Sequence, residues 1–244
     1  MVGGEAAADA VARAHRLPEL RVGLHLNLTD GHPVLPEAEI PQLVRENGKF
    51  DRNLARAGFR FFMFRGVRRQ LASEIRAQFA AFRATGLPLD HVNAHKHIHV
   101  HPCVAKLIIE IGHDYGMKAV RVPSEPVAVL RRAFPDERRR TPAYRPWVVA
   151  LRRRLHRAGL CTNDHLFGLA WSGGMVEERM LGLMPHLPDG VSEIYFHPAA
   201  ECAPSLVPAL RGYRRDEELA TLLSPLLRDR IAEFGIRLVS YSDL

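Results

Sequence analysis

The chain has 244 residues, 47% hydrophobic and 25% charged, which suits a globular core and excludes disordered, collagen-like and membrane-spanning classes. Thirty-four Lys and Arg face 27 Asp and Glu, a formal charge of +7 carried mostly by arginine. Three dispersed cysteines, Cys103, Cys161 and Cys202, form no CxxC pair, which excludes a disulfide framework and a cysteine-based zinc site and fits a reducing compartment.

Residues 1–5 have neither the basic flank nor the apolar run of a secretion signal, so a soluble cytoplasmic protein is expected. Residues 1–4 read as the tail of a strand and 5–16 as a helix. Residues 20–28 alternate: Val22, Leu24, Leu26 and Leu28 share one face, and Gly23, His25 and Asn27 the other. Residues 67–85 predict a helix with Leu71, Ile75, Phe79 and Phe82 on its apolar stripe and Gly86 as its stop. Residues 90–101 read as a strand. Pro102 then opens a helix that turns Val104, Leu107, Ile108 and Ile111 inward and ends at Gly116. A short strand over 118–122 completes a βαβ unit, from which a parallel sheet follows. Residues 134–146 read as a loop or lid and 192–196 as a strand. A helix over 214–234 is expected to bury Leu219, Leu222, Leu223, Leu226 and Ile231. Gly235 caps it, and 236–241 forms a last strand. The fold class is α/β, either a barrel or a doubly wound sheet, and the lack of GxGxxG and Walker loops weakens the nucleotide-binding option.

Five of the 13 histidines fall between Asp90 and Pro102. Period-two geometry puts Asn93, His95, His97, His99 and His101 on one face, opposite Val92, Ala94, Ile98 and Val100. One core histidine is easily satisfied, but a whole face of them would bury several unpaired rings, so the pattern points to a metal or catalytic site. His25, beside Asn27 on its own strand, gains meaning only with a second ligand. His197 follows the 192–196 strand, where α/β enzymes keep catalytic groups. The arginines at 131–132, 138–140 and 152–154 read first as solvated helix faces and second as a surface for an anionic partner. Nothing supports nucleic-acid recognition.

Residues 23–29 (GLHLNLT), 91–102 and 193–198 (EIYFHP) resemble, in type and order, the YdjC-like carbohydrate deacetylases; 120–123 and 236–241 add to the likeness. Residues 93–99 (NAHKHIH) and 163–173 (NDHLFGLAWSG) are most similar to the hopanoid-biosynthesis-associated branch. The resemblance implies a single domain over 1–244 with a deformed TIM-like (β/α) barrel. It implies a divalent metal, magnesium with zinc as the alternative, held by His25 and His95. His97 and His99 would line the site, His197 would be the general acid, and Arg121 and Asp164 would steer the base or hold substrate. The implied reaction is metal-assisted removal of N-acetyl groups from an amino sugar, carried in this branch on a glycosylated hopanoid. Contact with the inner-membrane surface and a homodimer are further expectations. The family's first strand ends in Asp-Asp-Phe-Gly, which is absent here, so a barrel lacking its first strand and helix is expected. The rival readings are a metal-dependent phosphoesterase and an inactive relic or binding protein.

Overall fold

The computed structural model describes residues 1–138, 140–200 and 212–244; Arg139 and Cys202 lie outside the described residues. In chain order the elements are α1 (Ala7–His15), β1 (Leu24–Leu26), α2 (Leu54–Met63), α3 (Arg65–Ala84), β2 (Val92–Ala94), α4 (Pro102–Asp114) and α5 (Val127–Ala133). There follow α6 (Arg145–Arg157), β3 (His165–Phe167), α7 (Glu177–Leu183), β4 (Ser192–Ile194), α8 (Arg215–Leu223) and α9 (Pro225–Glu233). They group into two units: Met1–Arg121 with Pro146–Thr162 and Ser240–Leu244, and Val122–Arg145 with Asn163–Val239.

In the first unit β1 and β2 run parallel, with Leu24 opposite Val92, His25 opposite Asn93 and Leu26 opposite Ala94. Single parallel bridges from Val92 to Val120 and from Ala119 to Cys161 extend the order. The βαβ reading of 90–122 therefore holds in connectivity and direction. Helix α3 buries Leu71, Ile75, Phe79 and Phe82, the predicted stripe. Gly86 follows at φ +74°, a left-handed position that glycine takes without strain. Gln78 on that buried face donates to the Asn27 carbonyl at 2.7 Å and accepts the Asn27 N–H at 2.9 Å, clamping the exit of β1 to the helix. Helix α4 begins with Pro102 at its first turn, and its N-cap His101 accepts from the Cys103 N–H at 3.3 Å.

In the second unit β3 and β4 pair in parallel, His165 opposite Ser192 and Phe167 opposite Ile194. Phe167, Leu130, Trp171, Met175, Met180, Leu183 and Leu227 form its apolar core. Asn163, fully buried, accepts from the Val122 N–H at 2.7 Å and donates to the Val122 and His165 carbonyls at 2.9 Å, satisfying three backbone groups with one amide.

Several expectations are corrected. The strand over 90–101 ends at Ala94, because Lys96 and His97 sit at φ +49° and +53° and turn the chain into a 3₁₀ segment, His95–Val100. The single helix over 214–234 is two: Ser224 turns extended and caps α9, whose first residue, Pro225, cannot continue α8. Leu222, Leu223 and Leu226, expected inside, are 47%, 69% and 45% exposed. Residues 236–241 alternate like a strand, but no bridge reaches them among the described residues, and Tyr241–Asp243 is a 3₁₀ turn. Residues 1–4 form turns. Among the described residues the ladders are β1 with β2 and β3 with β4, two strands in each sheet. No described helix is long and apolar enough to cross a membrane.

Candidate active site

The pairing register places His25 and Asn93 directly across the β1–β2 ladder, and their side chains meet, Nδ1 to Oδ1, at 2.5 Å. Asn93 and His91 share a face of the second strand by period two, with Asn93 Nδ2 3.2 Å from His91 Nε2. His91 Nδ1 in turn lies 2.9 Å from Asp90 Oδ2. Burial works to raise the Asp90 pKa, but hydrogen bonds from His91 and Ser242 outweigh it and hold the carboxyl below its ordinary range.

The polarity of this chain follows from its acidic end. An ionised carboxylate only accepts, so His91 donates from Nδ1 and, as a neutral imidazole, offers a lone pair at Nε2. That lone pair takes the Asn93 Nδ2–H, which turns Oδ1 toward His25. His25 must then donate from Nδ1, and its Nε2 carries the lone pair. The C-terminal turn closes the far end: Tyr241 stacks on His91 at 4.5 Å, and Ser242 N–H donates to Asp90 Oδ1 at 3.0 Å. Burial lowers the His25 pKa to about 3 against the opposing Asn93 hydrogen bond, so the ring is neutral at pH 7.

His95 leaves the sheet at the C-terminal end of β2, at the turn that Lys96 and His97 make in left-handed conformation. Such residues cost roughly 1 kcal/mol or more each unless neighbours hold them. Here Lys96 Nζ is fastened to Asp30 at 2.9 Å, and Arg52 holds Asp30 at 3.1 Å. The turn sets the His95 ring edge-on to His25, 5.8 Å between centroids at 71°. His97 and His99 lie 6.0 Å apart, and the buried His99 meets the Arg121 carbonyl through Nε2 at 2.9 Å. Burial drives the His97 pKa well below its ordinary value. Asp30 also borders a groove of about 840 Å³ that Arg45, Asp51, Arg56 and Arg60 line.

Among the predicted site residues, His25, His95, His97, His99 and Arg121 belong to the first unit, and Asp164 and His197 to the second. His197 follows β4 by three residues, and Tyr195 and Tyr213 flank its ring edge-on at 5.4 and 5.0 Å. The fully buried Glu218 holds its peptide, accepting the His197 N–H through one oxygen and the Met175 N–H, at 2.8 Å, through the other. Asp164 is exposed and accepts the Val191 N–H at 2.9 Å, anchoring the turn into β4.

Asp90, His91, Asn93, Asp30 and Glu218 carry the arrangement, and sequence reasoning assigned none of them a role. The Asp-His-x-Asn spacing was a usable signal for the first three; nothing distinguishes Glu218 from its acidic neighbours in sequence. Among the described residues no group of three His, Cys, Asp or Glu could hold a metal ion. His25 and His95 nonetheless supply two nitrogens of a suitable class. Two imidazoles on one tetrahedral cation stand roughly 5 Å apart between ring centres, close to what is seen.

Comparison with known proteins agrees with these motifs. The carbohydrate deacetylase of Geobacillus stearothermophilus is 32% identical over 245 residues, an alignment covering all of this chain and 84% of that protein. The carbohydrate deacetylase of Mus musculus is 31% identical, with coverage of 100% and 84%. A crystal structure from Enterococcus faecalis V583, of a candidate cellobiose-phosphate cleavage protein, superposes with a TM-score of 0.73, covering 100% of this chain and 85% of that one; at 21% identity the likeness speaks for the fold alone. The profile of the YdjC-like proteins matches residues 1–233, and the chain belongs to that family.

Proposed function

We propose that the protein is a metal-dependent carbohydrate deacetylase that removes N-acetyl groups from an amino-sugar substrate. The observation that carries this reading is the lone pair of His25 Nε2, fixed by the Asp90–His91–Asn93 chain and set beside His95. The names of the relatives supply the reaction class. In the finer reading the substrate is a glycosylated hopanoid, and the protein works as a homodimer in the cytoplasm at the inner-membrane surface, on a TIM-like barrel scaffold.

A divalent cation would be held by His25 and His95, with the donor requirements of magnesium and zinc differing. Two imidazoles form a zinc-like donor set, whereas magnesium would draw most of its ligands from water or substrate oxygens. When bound, the cation supplies Lewis acidity, polarising the acetyl carbonyl and lowering the pKa of water. Asn93 keeps His25 in the tautomer that leaves Nε2 free to ligate, and the Lys96–Asp30 pair holds the turn that presents His95. His97, His99 and Arg121 line the site. His197 protonates the departing amine, an otherwise poor leaving group, with its peptide held by Glu218. Asp164, which accepts the Val191 N–H ahead of β4, would steer the base or hold substrate.

The test is acetate release from a chitooligosaccharide and a glycosylated hopanoid, beside a generic phosphate ester, with elemental analysis of bound metal. Acetate from the sugars, and metal content lost in His25→Ala and His95→Ala, are expected. Turnover of the phosphate ester alone would favour the phosphoesterase reading, and neither turnover nor metal binding would favour the relic.

A further inference from the structure

We infer that the face formed by α2 and the start of α3 docks on the surface of an anionic lipid bilayer. Helix α2 buries Ala57, Gly58 and Phe61, yet Phe59, Phe62, Met63 and Phe64 are 61%, 62%, 54% and 52% exposed. Ordinary amphipathic helices turn polar residues to water at such positions, and clustered exposed aromatics mark an interaction surface. The apolar residues extend beyond α2. Phe61 packs edge-on to His101 at 5.8 Å, and His101 meets the half-exposed Trp147 of α6 at 6.0 Å.

Charge decides the occupant. From Arg52 to Ser73 the chain carries six arginines and no carboxylate, and Arg52 is paired with Asp30 at 3.1 Å. Arg56 is committed to Asp51, and Arg68 donates to the Phe61 and Phe62 carbonyls, fastening the end of α2 to α3. Beside the phenylalanines a groove of about 720 Å³ is lined by Arg65, Arg68, Arg69 and Lys106; its one acid, Glu110, is paired with Lys106 at 3.6 Å. A two-fold contact between copies of this face would bring arginines against arginines. A bilayer with phosphate headgroups over acyl chains complements both halves at once: the groove takes headgroup phosphate and the phenylalanines enter the acyl boundary. This inference rests on the proposed placement at the inner-membrane surface and gives it a face of the protein; vesicle binding reads it separately from acetate release, since binding needs no catalysis.

The experiment is co-sedimentation of the full chain with phosphatidylcholine vesicles, with and without phosphatidylglycerol, at low and high salt. Anionic vesicles are expected to bind about tenfold more strongly than neutral ones, with the difference shrinking in salt. Phe62→Ser with Phe64→Ser, and separately Arg65→Glu with Arg69→Glu, should each weaken binding about tenfold; both pairs lie on the surface, so the circular-dichroism melt should stay unchanged. Equal binding to neutral vesicles, or undiminished binding by either double variant, would overturn the inference. So would light scattering that shows a dimer which the Phe62→Ser/Phe64→Ser protein loses.

Discussion

His25 and Asn93 face each other across two parallel strands, and the 2.5 Å contact between Nδ1 and Oδ1 makes the asparagine the group that decides which imidazole nitrogen carries the proton. Replacing Asn93 with Leu should free the ring to populate both tautomers. Long-range ¹H–¹⁵N spectra of the metal-free protein would report this directly. Zinc affinity measured by calorimetry should fall about 10- to 100-fold, the usual cost of losing a ligand's orienting partner. Asn93→Asp retains an acceptor at the same place and should keep the Nδ1–H tautomer. A leucine variant with the wild-type ¹⁵N pattern would contradict the assignment.

Acid should destabilise the protein earlier than its carboxylates alone would require. His25 has a pKa of about 3 in the folded chain against an ordinary 6.5, and burial lowers His97 in the same direction. Between those values the unfolded chain binds a proton that the folded chain refuses. The stability these rings contribute is therefore full above pH 6.5 and is lost as pH falls toward 3. Each such ring contributes a slope of up to about 1.4 kcal/mol per pH unit. Urea titrations at about pH 7 and pH 5 should differ by about 1–2 kcal/mol for His25 alone, and His25→Phe should flatten the difference. Asp51, whose pKa its Arg56 hydrogen bond lowers to about 2 against the pull of burial, loses its contribution only as pH falls below the ordinary carboxylate value, so the two windows separate.

The left-handed turn at Lys96 makes a prediction about backbone shape. A β-branched residue tolerates φ near +49° poorly, so Lys96→Val should cost about 1–3 kcal/mol in urea unfolding. Lys96→Gly fits the backbone and forfeits only the partly exposed pair with Asp30, so about 1 kcal/mol or less is expected. Equal costs for the two would show that the conformation is not what constrains this position.

Glu218 satisfies two backbone amides from full burial. Glu218→Ala leaves both without an acceptor and should destabilise the protein by about 2–4 kcal/mol in thermal or urea melts. Glu218→Gln keeps one oxygen acceptor and should cost less. If His197 is the proton donor, Glu218→Gln should lower kcat more than it changes KM, because it shifts the peptide that carries the imidazole. His197→Ala should lower kcat roughly 10²- to 10⁴-fold.

What could be read from residues alone was periodic and local. The stripe of Leu71, Ile75, Phe79 and Phe82, Pro102 at the start of α4 and the parallel βαβ order over 90–122 all rest on patterns within a few residues of chain. The histidine cluster was visible for the same reason, and so were His25 within its alternating strand and His197 just past the end of another. What alternation could not reveal was where it stops. His95 to His99 look like one strand face until Lys96, tied to an aspartate 66 residues away, takes up a left-handed turn. Residues 236–241 carry a strand's pattern, but a strand exists only where a neighbour completes its hydrogen bonds, and none of the described residues bridges to it. The composition of 222–226 predicts burial, yet exposure is a property of what packs nearby. The tautomer of His25 is the clearest case. It depends on Asn93, His91, Asp90 and the C-terminal turn meeting in space, because a proton's position is set by hydrogen-bond partners that only the tertiary structure assembles.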